Sequence, residues 1–289
     1  MYTTLPPAWR DWIAENLSRG CDPKSLIADM IRANFDPAFA AYAVQNAPAP
    51  AVAQPAEVEA GYVYETPRIA PGNLIVTSDR VIRATLRIEK PCVVFLENVL
   101  SSDECDELVT RSRDRLTRST TVNPLDGKDA VIEARSSEGT FFPLNADDFI
   151  ARLDRRISAV MNMPVENGEG LQILHYRIGG QYTPHYDYFS PKDPGSKPHL
   201  ANGGQRVSSL VMYLNDVDDG GGTVFPELGL TVGPKKGGAV YFEYCNSRGQ
   251  LDALSLHGGL PVLQGEKWIA TKWMRQQKYC QATQNDAMT

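Results

Sequence analysis

Two histidines, an aspartate and a lysine are the side chains through which this sequence is best equipped to do chemistry. His185 and Asp187 stand two apart in LQILHYRIGGQYTPHYDYF (171–189), a run rich in strand-forming residues. Side chains two apart on a strand point to the same face, so an imidazole and a carboxylate are aimed at one place. His257 follows much later, in ALSLHGG, and Lys267 after it, in QGEKWIATKW. Two histidines and one carboxylate form a facial triad, which suits non-haem Fe(II) and leaves coordination positions open for small molecules. A lysine beyond the triad can pair with the carboxylate of a metal-bound co-substrate. An isolated H-x-D triplet reads as a polar pair in a sheet. The ordered set H-x-D, then H, then K, each in a strand-like run, points to metal-dependent chemistry.

Such residues need a sheet to hold them, and the second half of the chain reads as strand after strand: RVSSLVMYLND, GTVFPE, LTVGP, GGAVYFEY, ALSLHGG and KWIATKWM. Short strands with Gly- and Pro-rich turns predict a sandwich or barrel. Gly220-Gly221-Gly222 precedes a strand, not a helix, so it is no dinucleotide fingerprint. Upstream, VIRATLRI and CVVFLENVL are strands by composition. Ser101 with Glu104 forms a capping box that opens a helix, on which Leu108, Val109 and Leu116 share a face. A second helix is predicted from about Asn145, its apolar face formed by Phe149, Ile150, Leu153, Ile157, Val160 and Met161. Both are expected to support one face of the sheet. Residues 119–141 and 189–205 are polar and turn-rich, and read as surface loops, the first with a hairpin, and as candidate lids.

Residues 1–45 form a small helical region. Trp9, Trp12, Ile13 and Leu17 share one helical face, and Asp22-Pro23 and Asp36-Pro37 each pair an N-cap with a first-turn proline. Leu26, Ile27, Met30 and Ile31 make the stripe of the helix between them. This region either packs on the main domain or docks a substrate or partner. Residues 46–60, rich in Ala and Pro, read as a semi-rigid linker, and 61–280 as the main domain.

The chain has 289 residues, 42% of them hydrophobic, enough for one large domain and a small appendage. A net charge of −6 and a pI near 5.3 argue against a nucleic-acid-binding surface. No run approaches a membrane span, and MYTTLPPAWRDW lacks a basic region followed by an apolar core, so no signal peptide is expected. Cys21, Cys92, Cys105, Cys245 and Cys280 are odd in number and widely spaced, and no CxxC occurs. Reduced thiols, no structural zinc and a cytoplasmic location are the expectation.

The segments LQILHYRIGGQYTPHYDYF, GGQRVSSLVMYLNDVDDGGGTVFPELGLTVGPKKGGAVYF and SLHGGLPVLQGEKWIATKWM stand in an order that resembles the prolyl 4-hydroxylase branch, collagen-type, of the Fe(II)/2-oxoglutarate-dependent dioxygenases. The resemblance covers most of residues 92–276. It implies a mainly β fold, a double-stranded β-helix or jelly roll with supporting α-helices. It implies that His185, Asp187 and His257 bind Fe(II), and that Lys267 pairs with the far carboxylate of 2-oxoglutarate. Tyr176 and Thr223 match positions lining the co-substrate pocket. Arg206, Arg135, Tyr182 and Trp273 match positions on the substrate side. Read from the residues alone, Tyr176 and Trp273 serve equally as core packing, Arg206 as an edge charge and Arg135 as a loop charge. His175 neighbours Tyr176 and so faces the other way, as a structural residue; His199 is expected to be exposed.

The implied reaction converts 2-oxoglutarate and O₂ to succinate and CO₂ while hydroxylating an unactivated C–H, with ascorbate as a possible reductant. The implied partner is a peptide or protein substrate containing proline, with no nucleic acid and no membrane. Asp187 separates the chain from related halogenases, which lack that carboxylate; Lys267 separates it from the oxygen-sensing prolyl hydroxylases, which usually carry arginine there. Two alternatives stand beside this reading. One keeps the chemistry on a free amino acid, another peptidyl residue or a natural-product intermediate. The other is a non-catalytic jelly-roll binding module.

Overall fold

Residues rich in Val, Ile and aromatics cannot bury both faces as single strands, and here they pair into two main sheets. The computed structural model describes residues 2–18, 22–47, 61–130 and 134–280. Cys21 and residues 48–60 of the expected linker lie outside the described residues. The chain divides into two compact units, residues 1–61 and 62–289.

In the larger unit a nine-stranded antiparallel sheet runs, edge to edge, Leu74–Val76 (β1), Val81–Ile88 (β2), Val93–Glu97 (β3), Ala239–Glu243 (β14), Arg206–Tyr213 (β10), Lys267–Arg275 (β17), Leu171–Tyr176 (β8), Glu138–Phe142 (β7) and Thr117–Arg118 (β4). A four-stranded sheet takes the order Leu230–Val232 (β13), Thr223–Phe225 (β12), His257–Gly259 (β15) and Tyr182–His185 (β9). Two small ribbons complete the set, Asp219–Gly220 (β11) with Val262–Gln264 (β16), and Thr121–Val122 (β5) with Asp129–Ala130 (β6). A major and a minor antiparallel sheet with helices on one side are the jelly-roll arrangement.

The central strand β17 is buried along its whole length, yet its two faces differ in kind. Lys267, Ile269, Thr271 and Trp273 line a cavity, while the residues between them point away from it. On that far face Lys272 Nζ donates to Asp154 Oδ1 at 2.7 Å. Asp154 belongs to the helix Asp148–Met161 (α5), which packs into the same core as the helix Ser102–Ser112 (α4). The two helices therefore seal one face of the sheet and leave the other free for the cavity. The expected capping box is present: Ser101 Oγ accepts from Glu104 N, and the Glu104 carboxylate accepts from Ser101 N.

Some boundaries fall differently from expectation. The helix expected from Asn145 starts three residues later, because Asp147 supplies the cap to Ile150 N, while Asn145 sits at a left-handed φ of 54°. Leu116 lies beyond α4, after a 3-10 turn at Arg113–Arg115. The end of the expected 119–141 loop is strand β7, held by pairing with β8. The 189–205 segment contains a short helix, Ser196–Ala201 (α6).

The smaller unit has its own core. Its helices are Pro7–Ser18 (α1), Pro23–Arg32 (α2) and Pro37–Gln45 (α3). Asp22 and Asp36 cap α2 and α3, each followed by proline in the first turn. Ile13, Leu26, Met30 and Phe35 are buried, with Trp9, Trp12, Leu17 and Ile27 packed around them. Ile31, expected in that stripe, is exposed. Among the described residues no helix is long and apolar enough to cross a membrane.

Candidate active site

The first and third residues of the expected triad face each other across two strands. His185 ends β9 and is the direct antiparallel partner of His257, which opens β15. Gly258 lets the strands come this close, since a Cβ there would lie 2.9 Å from the Tyr182 carbonyl oxygen. Asp187 is not on the strand, which stops at His185. It reaches the same point from a bend, so the triad converges, but not by strand alternation alone. Its Oδ1 lies 3.7 Å from His185 Nε2 and its Oδ2 3.5 Å from His257 Nε2. All three donor atoms fall within 4.8 Å of one another.

Both imidazoles are set the same way. His185 Nδ1 lies 2.9 Å from the Thr183 carbonyl, and His257 Nδ1 3.0 Å from the Ser255 carbonyl. A carbonyl only accepts, so the proton belongs on each Nδ1, and each Nε2 keeps its lone pair facing Asp187. Burial, and the neighbouring His257, depress the pKa of His185 and favour its neutral form. Burial alone would raise Asp187, but His257 and His185, which attract the carboxylate whenever they are protonated, together with Arg206 and the Ser209 hydroxyl, outweigh it and hold the carboxylate ionised. Two neutral imidazoles and one carboxylate are a donor set that fits Fe(II).

The triad opens into a cavity of about 820 Å³. Lys267 stands in its wall, 3% exposed, and directly opposite Tyr176 in the β17/β8 register. Its ammonium lies 5.6 Å from the Tyr176 ring centroid and joins no ion pair among the described residues. Burial lowers its pKa to about 8. A buried, unpaired ammonium calls for an anionic partner, and so the residues present also fit a dicarboxylate. Thr223 lies in the same wall, its Oγ1 accepting from Tyr213 at 2.8 Å.

The substrate-side candidates line the cavity too; both arginines are already engaged, while the buried Trp273 Nε1 has no hydrogen-bond partner among the described residues. Tyr182 stacks on the His185 ring, with centroids 3.6 Å apart. Arg135 is buried: its Nη1 donates to Thr120 O at 2.9 Å, its Nη2 to Gln172 Oε1 at 3.2 Å, and its guanidinium lies over the Tyr182 ring. Arg206 donates to both carboxylate oxygens of Glu169, at 2.6 and 2.8 Å, and covers the Trp273 ring at 3.9 Å. Burial works against the Arg206 charge, but Glu169 outweighs it and keeps the guanidinium protonated. A bulge between Arg206 and Ser208 turns Arg206 to the site face although it stands three residues from Ser209.

His175 points away from the cavity, stacked on Trp268 and 2.7 Å from Glu266. His199, expected to be exposed, is half-buried, stacked on Phe189 with Nε2 2.9 Å from the Gly127 carbonyl. That contact joins the two expected loops. Gly195 N also donates to Pro124 O at 2.8 Å, and a Cβ on Gly127 would lie 2.6 Å from Gly195 O. Glu169, Gln172, Ser209 and Tyr244 carry no local sequence signal, because their roles rest on long-range hydrogen bonds.

Residues 171–275 match the 2OG-Fe(II) oxygenase superfamily. Prolyl 4-hydroxylase 5 of Arabidopsis thaliana is 41% identical over 203 residues, covering 64% of this chain and 68% of the relative. Probable prolyl 4-hydroxylase 10 of the same plant is 40% identical over 209 residues, covering 66% of this chain and 71% of the relative. The viral collagen prolyl hydroxylase of Paramecium bursaria Chlorella virus-1, solved as a 2OG complex, superposes with a TM-score of 0.51 at 28% identity, over 63% of this chain and 95% of that one. The chain belongs to the prolyl 4-hydroxylase family of the Fe(II)- and 2-oxoglutarate-dependent dioxygenases. That family implies Fe(II) as cofactor, with 2-oxoglutarate and O₂ as co-substrates.

Proposed function

We propose that this chain hydroxylates peptidyl proline, with His185, Asp187 and His257 holding Fe(II) and Lys267 receiving the far carboxylate of 2-oxoglutarate. The observation that carries the reading is the convergence of three metal donors beside one cavity that also contains an unpaired, buried ammonium. When bound, the iron supplies the redox chemistry by which 2-oxoglutarate and O₂ become succinate and CO₂ and one oxygen enters a C–H bond.

The chain's own residues bind, orient and shield. The two Nδ1–H···O=C bonds fix the imidazole planes before any metal arrives. Lys267, Tyr176 and Thr223 hold the co-substrate in the wall of the cavity. Trp273 gives a proline ring a flat apolar surface, with Arg206 fixing it from behind, while Tyr182, stacked on His185 and covered by Arg135, offers the substrate only its edge. The joined loops at the mouth limit water, which protects a reactive centre. The names of the relatives support proline as the target, and a cavity of this size accommodates more than 2-oxoglutarate. We place the protein in the cytoplasm, a reading supported by the unbridged buried thiols Cys92, Cys105 and Cys245.

The test is iron-dependent release of CO₂ from 2-oxoglutarate, with a proline-rich peptide gaining one oxygen located on proline by fragmentation. Ascorbate is included, and leaving it out should shorten the time course. Asp187→Ala should lose both readouts. Absence of turnover by the wild type across a panel of proline-containing peptides would overturn the assignment.

A further inference from the structure

We propose that Ser209, backed by Tyr244, is the positioning residue that makes Asp187 a fixed, single-oxygen metal ligand. The inference rests on the reading of His185, Asp187 and His257 as the iron site. β9 ends at His185, so among the described residues no ladder hydrogen bonds hold Asp187 in place. Two contacts from β10 replace them. Arg206 Nη1 donates to the Asp187 backbone carbonyl at 3.3 Å, and Ser209 Oγ donates to Asp187 Oδ2 at 2.6 Å.

The direction of the second contact follows from proton counting. An ionised carboxylate only accepts, so the single hydroxyl proton of Ser209 goes to Asp187. Tyr244 Oη lies 3.0 Å from Ser209 Oγ, and with that proton committed, Tyr244 must be the donor. The result is a one-way chain, Tyr244 to Ser209 to Asp187, in which Ser209 and Tyr244 are fully buried. Water does not compete there, so the chain stays ordered and each bond polarises the next. Its effect is geometric. Either oxygen of Asp187 lies near an imidazole, and a carboxylate free to rotate can offer the metal one oxygen or both. With Oδ2 engaged by Ser209, Oδ1 is left with its lone pairs free for the ion.

The experiment is an anaerobic Fe(II) titration of the whole chain, followed by tryptophan fluorescence, with Trp273 in the cavity wall as reporter. Ser209→Ala should weaken Fe(II) binding by about 10- to 100-fold, the usual effect of removing an outer partner of a ligand. Ser209→Thr, which keeps the hydroxyl, should restore most of the affinity, and Tyr244→Phe should weaken it several-fold. At saturating iron the KM for 2-oxoglutarate should stay within twofold. Fe(II) affinity of Ser209→Ala within twofold of wild type would overturn the proposal, and so would an equal loss in Ser209→Thr, which would mark a packing role. If circular dichroism shows that Ser209→Ala does not fold, Tyr244→Phe decides: a several-fold loss supports the relay, and affinity within twofold of wild type ends it. A wild type that fails to bind Fe(II) would instead overturn the iron-site reading, and this proposal with it.

Discussion

Lys267 occupies the least comfortable position of any charged side chain in the cavity. It is buried, joins no ion pair among the described residues, and has its pKa lowered to about 8 by burial. The ordinary value of 10.5 applies to the unfolded chain. Between those two values the unfolded chain carries a proton that the folded chain has shed, so stability without co-substrate rises as pH goes from about 8 to 10.5. Below pH 8 the fold bears the full burden of a buried charge, on the order of 3 kcal/mol. Lys267→Met should therefore raise the melting temperature of the ligand-free protein at pH 7 while abolishing 2-oxoglutarate binding; an unchanged or lower melting temperature would contradict this. In the wild type, calorimetric affinity for 2-oxoglutarate should fall as pH rises past about 8, where the ammonium is lost. Lys267 and the triad were legible in the sequence because His is rare there and the spacing is distinctive. Ser209 and Glu169 were not. A serine in a strand run has no visible partner until the bend at Asp187 is known, and Glu169 gains meaning only when β10 brings Arg206 to it.

Individual elements were legible where local hydrogen bonds decide them. Asp22-Pro23, Asp36-Pro37 and the Ser101–Glu104 box all cap the helices they announced. Elements decided by distant partners were not: Glu138–Phe142 looks like loop, and is a strand because β8 offers it an edge. The joint between α5 and β17 is of this second kind. Lys272 and Asp154 are almost wholly buried and bonded at 2.7 Å, on the sheet face opposite the cavity. Removing one partner of such a pair strands the other charge, so Asp154→Ala should cost about 3–5 kcal/mol of stability. Chemical denaturation checks this; a cost below 1 kcal/mol would show that the pair is expendable. Because β17 also positions Lys267 and Trp273, a loosened α5 should raise the KM for 2-oxoglutarate as well.

At the scale of the whole molecule, the split into residues 1–61 and 62–289 separates two cores. Every proposed site residue lies in the second. We expect a chain beginning at Tyr62 to keep wild-type 2-oxoglutarate turnover within about twofold on short peptides, in line with the ~0.3–0.5 kcal/mol by which remote, independent sites affect one another. A tenfold loss would show that the helical unit takes part in catalysis, and retained turnover on short peptides with loss on long ones would assign it to recruitment. His185 and His257 are direct partners across the β9/β15 ladder. Neighbouring residues on a strand alternate faces, so a slip of one position between β9 and β15 would turn one imidazole away from the other. If the triad holds iron as proposed, a mispaired chain is blind to it. The ion recognises only correctly zipped molecules, and by binding them it withdraws them from the pool still able to misassemble. The cofactor thereby doubles as an inspector of the strand alignment that created its own berth.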